Sequence, residues 1–370
     1  MRLSSLHLHQ FRSYEERIFD FAGNDLHLLI GPNGIGKTNV LEAVSVLSLS
    51  HSALDRDEVD LIQWGKEYYR VTASMESDLG EKIETEVVSQ VSPKKQKACF
   101  VNDVRIPAAS FVGQLPAVLF LPQDLILFTG PPSGRRRFLD HILSQVHPEY
   151  FAALSEYQKI MKQRNTLLSK IADHEASEGD LAPWDLGIAE KGAEITLRRL
   201  EIAQTLGMTL AEEMRSLGEA PQTVELLYER KVEARELNTI RDELLELLTH
   251  YRPRDILLQS TTVGPHRDDW KIHVDGRELT TFASRGQQRT AVLALLFVEV
   301  SYLGLRRNEK PVILLDDVFS ELDDAHQEGV LRSFADHQVF ITSTHLPKEL
   351  HGAKIWEVEK LQGRDQMKKN

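Results

Sequence analysis

The sequence predicts an α/β fold: a mixed sheet with a parallel core and an antiparallel layer, and an inserted helical lobe containing an antiparallel helical hairpin. Three observations carry this. First, the apolar run Leu26–Ile30 leads into the glycine-rich loop Gly31–Thr38, and Val40–Val44 then opens an apolar helix. Second, Val312–Leu315 and Val339–Ile341 are wholly apolar, as strands buried on both faces of a parallel sheet must be. Third, Phe151, Leu154, Tyr157, Ile160, Met161, Leu167, Leu168 and Ile171 recur at three- and four-residue steps, and Ile188, Ile195, Leu200, Ala203 and Leu206 resume the pattern. The expected organisation is a nucleotide lobe from residues 1–130 and 256–370 and a helical lobe from 131–255.

Along the chain, Leu6 and Leu8 alternate with His7 and His9, giving a half-buried first strand on which the two histidines share a face, solvated or packed rather than metal-bound. Residues Arg70–Met75 and Lys82–Val88 alternate about a turn at Asp78-Leu79-Gly80. Lys97–Val101 and Val104–Ile106 form a second hairpin, so an antiparallel layer follows the first helix. Leu115–Leu121 is an apolar strand, and Ser133 is the expected N-cap of the helix carrying Arg135-Arg136-Arg137. The polar stretch Asp173–Pro183 divides two helices of roughly 30 residues, each ~45 Å long. A strand over Thr223–Tyr228, a short helix over Asp242–Tyr251, a strand over Trp270–Val274 and a long apolar helix over Ala291–Leu303 complete the reading.

With 370 residues, 41% hydrophobic and 27% charged, the chain has a globular composition. No apolar run is expected to cross a membrane, and no signal-peptide core opens the sequence. A single cysteine, Cys99, leaves no internal disulfide and suits a reducing cytoplasm. The net charge of −12 argues against nucleic-acid binding by the whole surface, though not by a local basic face.

The loop fits G-x-x-x-x-G-K-[ST] without departure. Its backbone N–H groups and the helix N-terminus suit phosphate oxygens, Lys37 the β- and γ-phosphates, and the Thr38 hydroxyl Mg²⁺. Leu314-Leu315-Asp316-Asp317 is a strand ending in two carboxylates; Asp316 takes the Mg²⁺ role and Asp317 that of a base for the attacking water. His345, ending the next apolar strand, reaches toward the γ-phosphate from the same sheet edge. Ser284-Arg285-Gly286-Gln287-Gln288 opens a helix as an anion-binding turn, and Ser284 with Gln287 also forms a capping box.

In order and kind these motifs resemble the ABC-type ATPases. Gly31–Thr38 looks like Walker A, Ser284–Gln288 like a diverged signature, and Asp316-Asp317 like Walker B with its catalytic acid. Ser320–Asp323 looks like the D-loop, His345 like the switch histidine and Gln123 like the Q-loop glutamine. Within that superfamily the chain resembles the RecF family of SMC-like ATPases. The marks are Phe11-Arg12-Ser13-Tyr14, Gly31–Asn39, Arg135–Asp140, Gly264–Asp269, Ser284–Arg289 and Leu314–Asp323. One departure is Gln123, where the family pattern usually has an acid.

The resemblance implies an ABC/SMC-type P-loop ATPase head with a slow ATPase activity. Arg12, Asn33, Gly34, Ile35, Gly36, Lys37, Thr38 and Asn39 would bind ATP on one subunit, with Ser284, Gly286 and Gln287 closing over it from a second copy. It further implies an ATP-dependent homodimer that clamps single-stranded and duplex DNA and junctions, works with RecR and supports RecA loading at gaps in recombinational repair and replication restart. Arg135, Arg136 and Arg137 are the DNA-contact candidates, because three cations in a helix's first turn oppose the macrodipole; ion pairing with nearby acids is the alternative for them. An ATPase subunit of a transporter is the rival reading of the whole chain, since it shares the motif order.

Overall fold

The computed structural model of the protein describes residues 1–54, 56–322, 324–346 and 352–358. The chain divides into two units. One comprises Met1–Ile126 with the segment from Arg289 onward, and the other Leu127–Gln288.

Among the described residues the first unit has two sheets. The antiparallel one runs β2-β1-β4-β5-β6-β7, with β1 Arg2–Phe11, β2 Tyr14–Asp20, β4 Tyr68–Glu76, β5 Lys82–Gln90, β6 Gln96–Val101 and β7 Val104–Ile106. The other runs β14-β3-β13-β12-β8, from β3 Leu26–Ile30, β8 Ala117–Phe120, β12 Val312–Asp316, β13 Val339–Ser343 and β14 Lys354–Glu357, and all its pairings are parallel. Helix α1, Lys37–Leu49, is buried along most of its length, and its Val40, Leu41, Val44 and Leu47 join Leu6, Leu8, Phe11 and Phe340 in one core. The short turns α2 Glu58–Leu61 and α3 Ala108–Phe111 bracket the antiparallel hairpins. Strand β2 is not evident from the sequence, because its core-facing residues are hidden by the charged run Glu15-Glu16-Arg17.

In the second unit α4 spans Pro132–Val146, α5 Pro148–Ala172, α6 Ala182–Ser216 and α7 Leu237–Leu258; β9 Val224–Glu229, β10 Asp269–Val274 and β11 Arg277–Glu278 form a small antiparallel sheet, followed by α8 Leu279–Phe282. The helical hairpin is present as α5 and α6, 25 and 35 residues long, divided in the polar stretch Asp173–Pro183. Ser133 is not the N-cap of α4: the helix starts one residue earlier, at Pro132, so that residue occupies the first-turn position that needs no N–H donor. Helix α7 runs well beyond Asp242–Tyr251, through Pro253, because Arg164 Nη1 holds Asp255 at 2.7 Å and Arg252 Nη2 reaches Asp185 at 2.9 Å.

The unit boundary falls at 288/289 rather than the expected 255/256. β10 pairs with β9 residue for residue from Asp269↔Glu229 to Val274↔Val224, so segment 256–288 belongs with the helices. Helix α9, Arg285–Arg307, also corrects an expectation. By length and composition it could cross a membrane, yet 72% of its apolar window is buried inside the protein, as in a core helix. Helix α10, Asp324–Ser333, precedes β13.

Candidate nucleotide site

Parallel register assembles the site. Ile30 of β3 lies beside Ser343 of β13, Thr342 beside Asp316 of β12, and Leu315 beside Phe120 of β8. The segments leaving all four strands therefore emerge at one carboxyl edge, the usual ligand edge of such sheets. They carry Gly31–Thr38, Asp317, His345 and, in the helical turn Pro122–Ile126, Gln123.

The loop is stitched to this edge by Gly31 N–H donating to Ser343 O at 3.3 Å. Asn33 and Gly34 are exposed, and Ile35 N–H closes a turn onto Pro32 O. Gly36 caps α1 at φ +103°, and a Cβ there would come within 2.6 Å of Ser13 Oγ, so only glycine fits. Lys37 Nζ donates to Gly31 O at 2.7 Å and Pro32 O at 3.0 Å. Burial lowers its pKa, with Asp317 and Asp316 pulling the other way.

Thr38 Oγ1 lies 2.9 Å from both carboxylate oxygens of Asp316, across 278 residues of sequence. Thr342 Oγ1 donates to Asp316 Oδ1 at 2.6 Å and accepts from Asp317 N–H at 2.9 Å, locking the two acids to β13. Asp317 adopts φ +49°, turning the chain off the strand end. Hydroxyl and carboxylate oxygens converging this closely form the hard, all-oxygen donor set that suits Mg²⁺. His345 and Gln123 are exposed, and His345 N–H donates to Ser343 Oγ at 3.2 Å. The turn Val318–Glu321 carries the start of the D-loop stretch; Asp323 lies outside the described residues.

Arg12 serves the fold. Its Nε is 3.0 Å from Glu42 on α1, and its Nη1 donates to Asp60 O at 2.6 Å. Asn39 Nδ2 donates to Ser13 Oγ at 2.9 Å, and Tyr14 Oη to Gly36 O at 3.1 Å. The Phe11–Tyr14 turn thus braces the loop from behind. Ser13, Tyr14 and Thr342 are the contributors that sequence reasoning misses. Ser13 and Tyr14 are visible there only as members of the Phe11–Tyr14 mark, with no role assigned, and Thr342 only as the third residue before His345.

In the second unit, Ser284 and Gln287 form the expected reciprocal cap. Ser284 N–H donates to Gln287 Oε1 at 3.0 Å, and Gln287 N–H to Ser284 Oγ at 3.2 Å. Ser284, Gly286 and Gln287 are all exposed.

The arginine triplet corrects the sequence reading. Arg135 is buried; its Nε and Nη2 grip both oxygens of Asp269 at 2.7 and 2.8 Å, and its Nη1 donates to the carbonyls of Leu127, Phe128 and Gly130. Arg136 Nη1 donates to Asp268 O at 2.8 Å. Phosphate contact by Arg135 would break this node, so it is no DNA ligand; Arg137, half-exposed, is the member of the triplet that stays a candidate. Of the lysines near the second hairpin, Lys97 pairs with Glu58, while Lys94 and Lys95 are exposed. His7 and His9 both hydrogen-bond Glu16 at 2.9 Å.

Residues 2–364 match the family model described as RecF/RecN/SMC N terminal domain. The chain is 33% identical over 371 residues to the DNA replication and repair protein RecF of Heliobacterium modesticaldum, covering 97% of this chain and 98% of that protein. It is 39% identical over 352 residues to RecF of Symbiobacterium thermophilum, covering 94% and 92%. Among solved structures, the recombination mediator protein RecF-ATPrS in the RecFOR pathway superposes with a TM-score of 0.87 at 31% identity, covering 96% of this chain and 95% of that one. An SMC head bound to the C-winged helix domain of ScpA, at 15% identity and a TM-score of 0.51 over 93% and 90%, shares the fold.

Proposed function

The chain belongs to the RecF family, and from that premise we propose how its nucleotide edge works. The protein is an ATPase of DNA replication and repair, not a transporter subunit. It binds ATP, as the RecF structures solved with ATP and its analogue support at 31% identity.

The observation that carries the reading is the 2.9 Å approach of Thr38 Oγ1 to Asp316. It joins the phosphate-loop helix to the acid-bearing strand at one point. Loop N–H groups and the α1 N-terminus receive the β- and γ-phosphates, and Lys37 turns from its own loop's carbonyls to the phosphate oxygens. Thr38 and Asp316 would hold Mg²⁺, which would supply charge neutralisation on the phosphates. Asp317, set past the strand end by its left-handed backbone, accepts a proton from the attacking water. Gln123 and His345 contact the γ-phosphate side from the same edge.

The exposed cap Ser284–Gln287 completes the nucleotide site of a second copy, so ATP holds a homodimer together and hydrolysis releases it. DNA is the substrate of the clamp, with RecR as direct partner and RecA as the protein loaded at gaps. DNA contact falls to Arg137 and to the exposed Lys94 and Lys95, and the cell compartment is the cytoplasm.

ATP hydrolysis measured with and without duplex DNA, alongside light scattering with saturating ATP and Mg²⁺, tests this. DNA-stimulated turnover and an ATP-dependent dimer are the expected results. Turnover indifferent to DNA, or a monomer under saturating ATP, would defeat the clamp.

A further inference from the structure

A cavity of about 440 Å³ opens beside the phosphate loop, lined among others by Arg12, Ser13, Asn39, Ile62, Trp64 and Lys66. Two contacts place it against the loop: Asn39, in the first turn of α1, holds Ser13 at 2.9 Å, and Ser13 Oγ sits where a Gly36 Cβ would have to go. The cavity therefore borders the first turn of α1 through Ser13 and Asn39.

Trp64 is the unexpected lining residue. Tryptophan ordinarily buries most of its ring, yet this one is 97% exposed. It is also held in place. Gln63 N–H donates to Gln10 O at 2.8 Å, and Lys66 N–H closes a four-residue turn onto Gln63 O at 3.0 Å. Gly65 takes φ +80°, the left-handed third position that such a turn requires. Just before it, Ile62 bridges to Phe11 and is buried. The backbone under Trp64 is therefore anchored on both sides while the indole stands in solvent at the cavity's rim.

We propose that Trp64 is the base-stacking plate of the nucleotide site, taking the face of a purine whose phosphates occupy Gly31–Thr38. The assignment rests on the ATP-binding reading above. A flat, polarisable ring recognises a flat heteroaromatic by offset stacking, more strongly the larger the base. Ile62 and Arg12, the latter held by Glu42, line the same cavity. An exposed tryptophan can equally stack on a base of single-stranded DNA. The adjoining phosphate loop favours the mononucleotide, and the test separates the two.

The test uses the full chain and compares ATP, CTP and inorganic tripolyphosphate by isothermal titration, with intrinsic fluorescence as a second readout. In Trp64→Ala the affinity for ATP should fall about tenfold, the preference for ATP over CTP should shrink, and the affinity for tripolyphosphate should hold. Trp64→Phe should recover most of the ATP affinity. ATP should quench wild-type emission and leave Trp64→Phe emission almost unchanged, since the remaining tryptophans, Trp184, Trp270 and Trp356, do not line the cavity. Equal losses for ATP and tripolyphosphate, no loss for either, or quenching by a single-stranded oligonucleotide but not by ATP would overturn the assignment. A wild-type protein that binds neither ATP nor tripolyphosphate would instead overturn the ATPase reading, and this assignment with it.

Discussion

The carboxyl edge of the parallel sheet and the Arg135 node in the helical unit are built from the same material, short runs of charged residues at the start or end of an element. They differ in where their hydrogen-bonding capacity goes. In the node it goes inward. Arg135 spends its guanidinium on Asp269 and three carbonyls, and its own carbonyl accepts the Trp270 indole N–H at 2.7 Å. Nearby, buried Arg199 is held by Asp140, Tyr228 and Pro265 O. At the sheet edge Thr342 pins the two acids, while Gln123, His345 and the tip of the phosphate loop face outward. Charge density alone does not mark a site: the node turns its polar groups on one another, whereas the edge leaves Gln123, His345 and the loop tip exposed.

The largest effect that tests this contrast is catalytic. Asp317→Asn should lower ATP turnover by about 10²- to 10⁴-fold while leaving ATP affinity and the thermal midpoint nearly unchanged. If turnover persists, the edge is as structural as the node. Arg135→Met should do the reverse. It strands the half-buried Asp269 carboxylate and three carbonyls, costing about 3 kcal/mol in a urea melt, and duplex affinity per folded molecule should not change. A loss of DNA binding without a loss of stability would restore Arg135 to the DNA face.

Acid should separate the two units more gently. Burial lowers His27 in β3 to about 4, and Trp356 Nε1 donates to its Nδ1 at 3.3 Å, which requires a neutral ring. Between about pH 6.5 and 4 the unfolded chain then binds the proton better, so this contribution is intact above pH 6.5 and fades as pH falls through the window, by about 3 kcal/mol. His337 in the same unit is lowered too. In the node the shifts oppose each other: burial lowers His266 to about 4 but raises Asp268 to about 6, and a raised acid gains stability on acidification. Helical signals should therefore outlast those of the nucleotide unit in a titration toward pH 4.5, and His27→Gln should narrow the gap. Simultaneous loss in both proteins would contradict the offset.

Much of the edge is legible in the sequence because each part is local. The strand–loop–helix run and the paired acids after four apolar residues each read from a short window, as does the Ser284–Gln287 cap of the other unit. What is illegible depends on distance. That Arg135 faces Asp269 follows only from folding 134 residues into contact. The boundary at 288/289 depends on β9 pairing with β10 around an entire helix. Trp64 misleads in another way, since its residue type predicts core and only the turn at Gly65 sets it outside.

The strand order has a consequence for how the molecule is made. Among the described residues β3, which leads into the phosphate loop, pairs with β13 and β14, roughly 300 residues later in the chain. At about 5–20 residues per second, the ribosome delivers those partners some tens of seconds after β3 has emerged. The helical unit, contiguous from Leu127 to Gln288, is complete well before then. Birth order thus runs opposite to function, with the ATP site the last part of the protein to exist. Nascent chains stalled at residue 300 should protect the helical unit from protease yet fail to crosslink ATP; crosslinking at that length would show that the loop needs neither β12 nor β13.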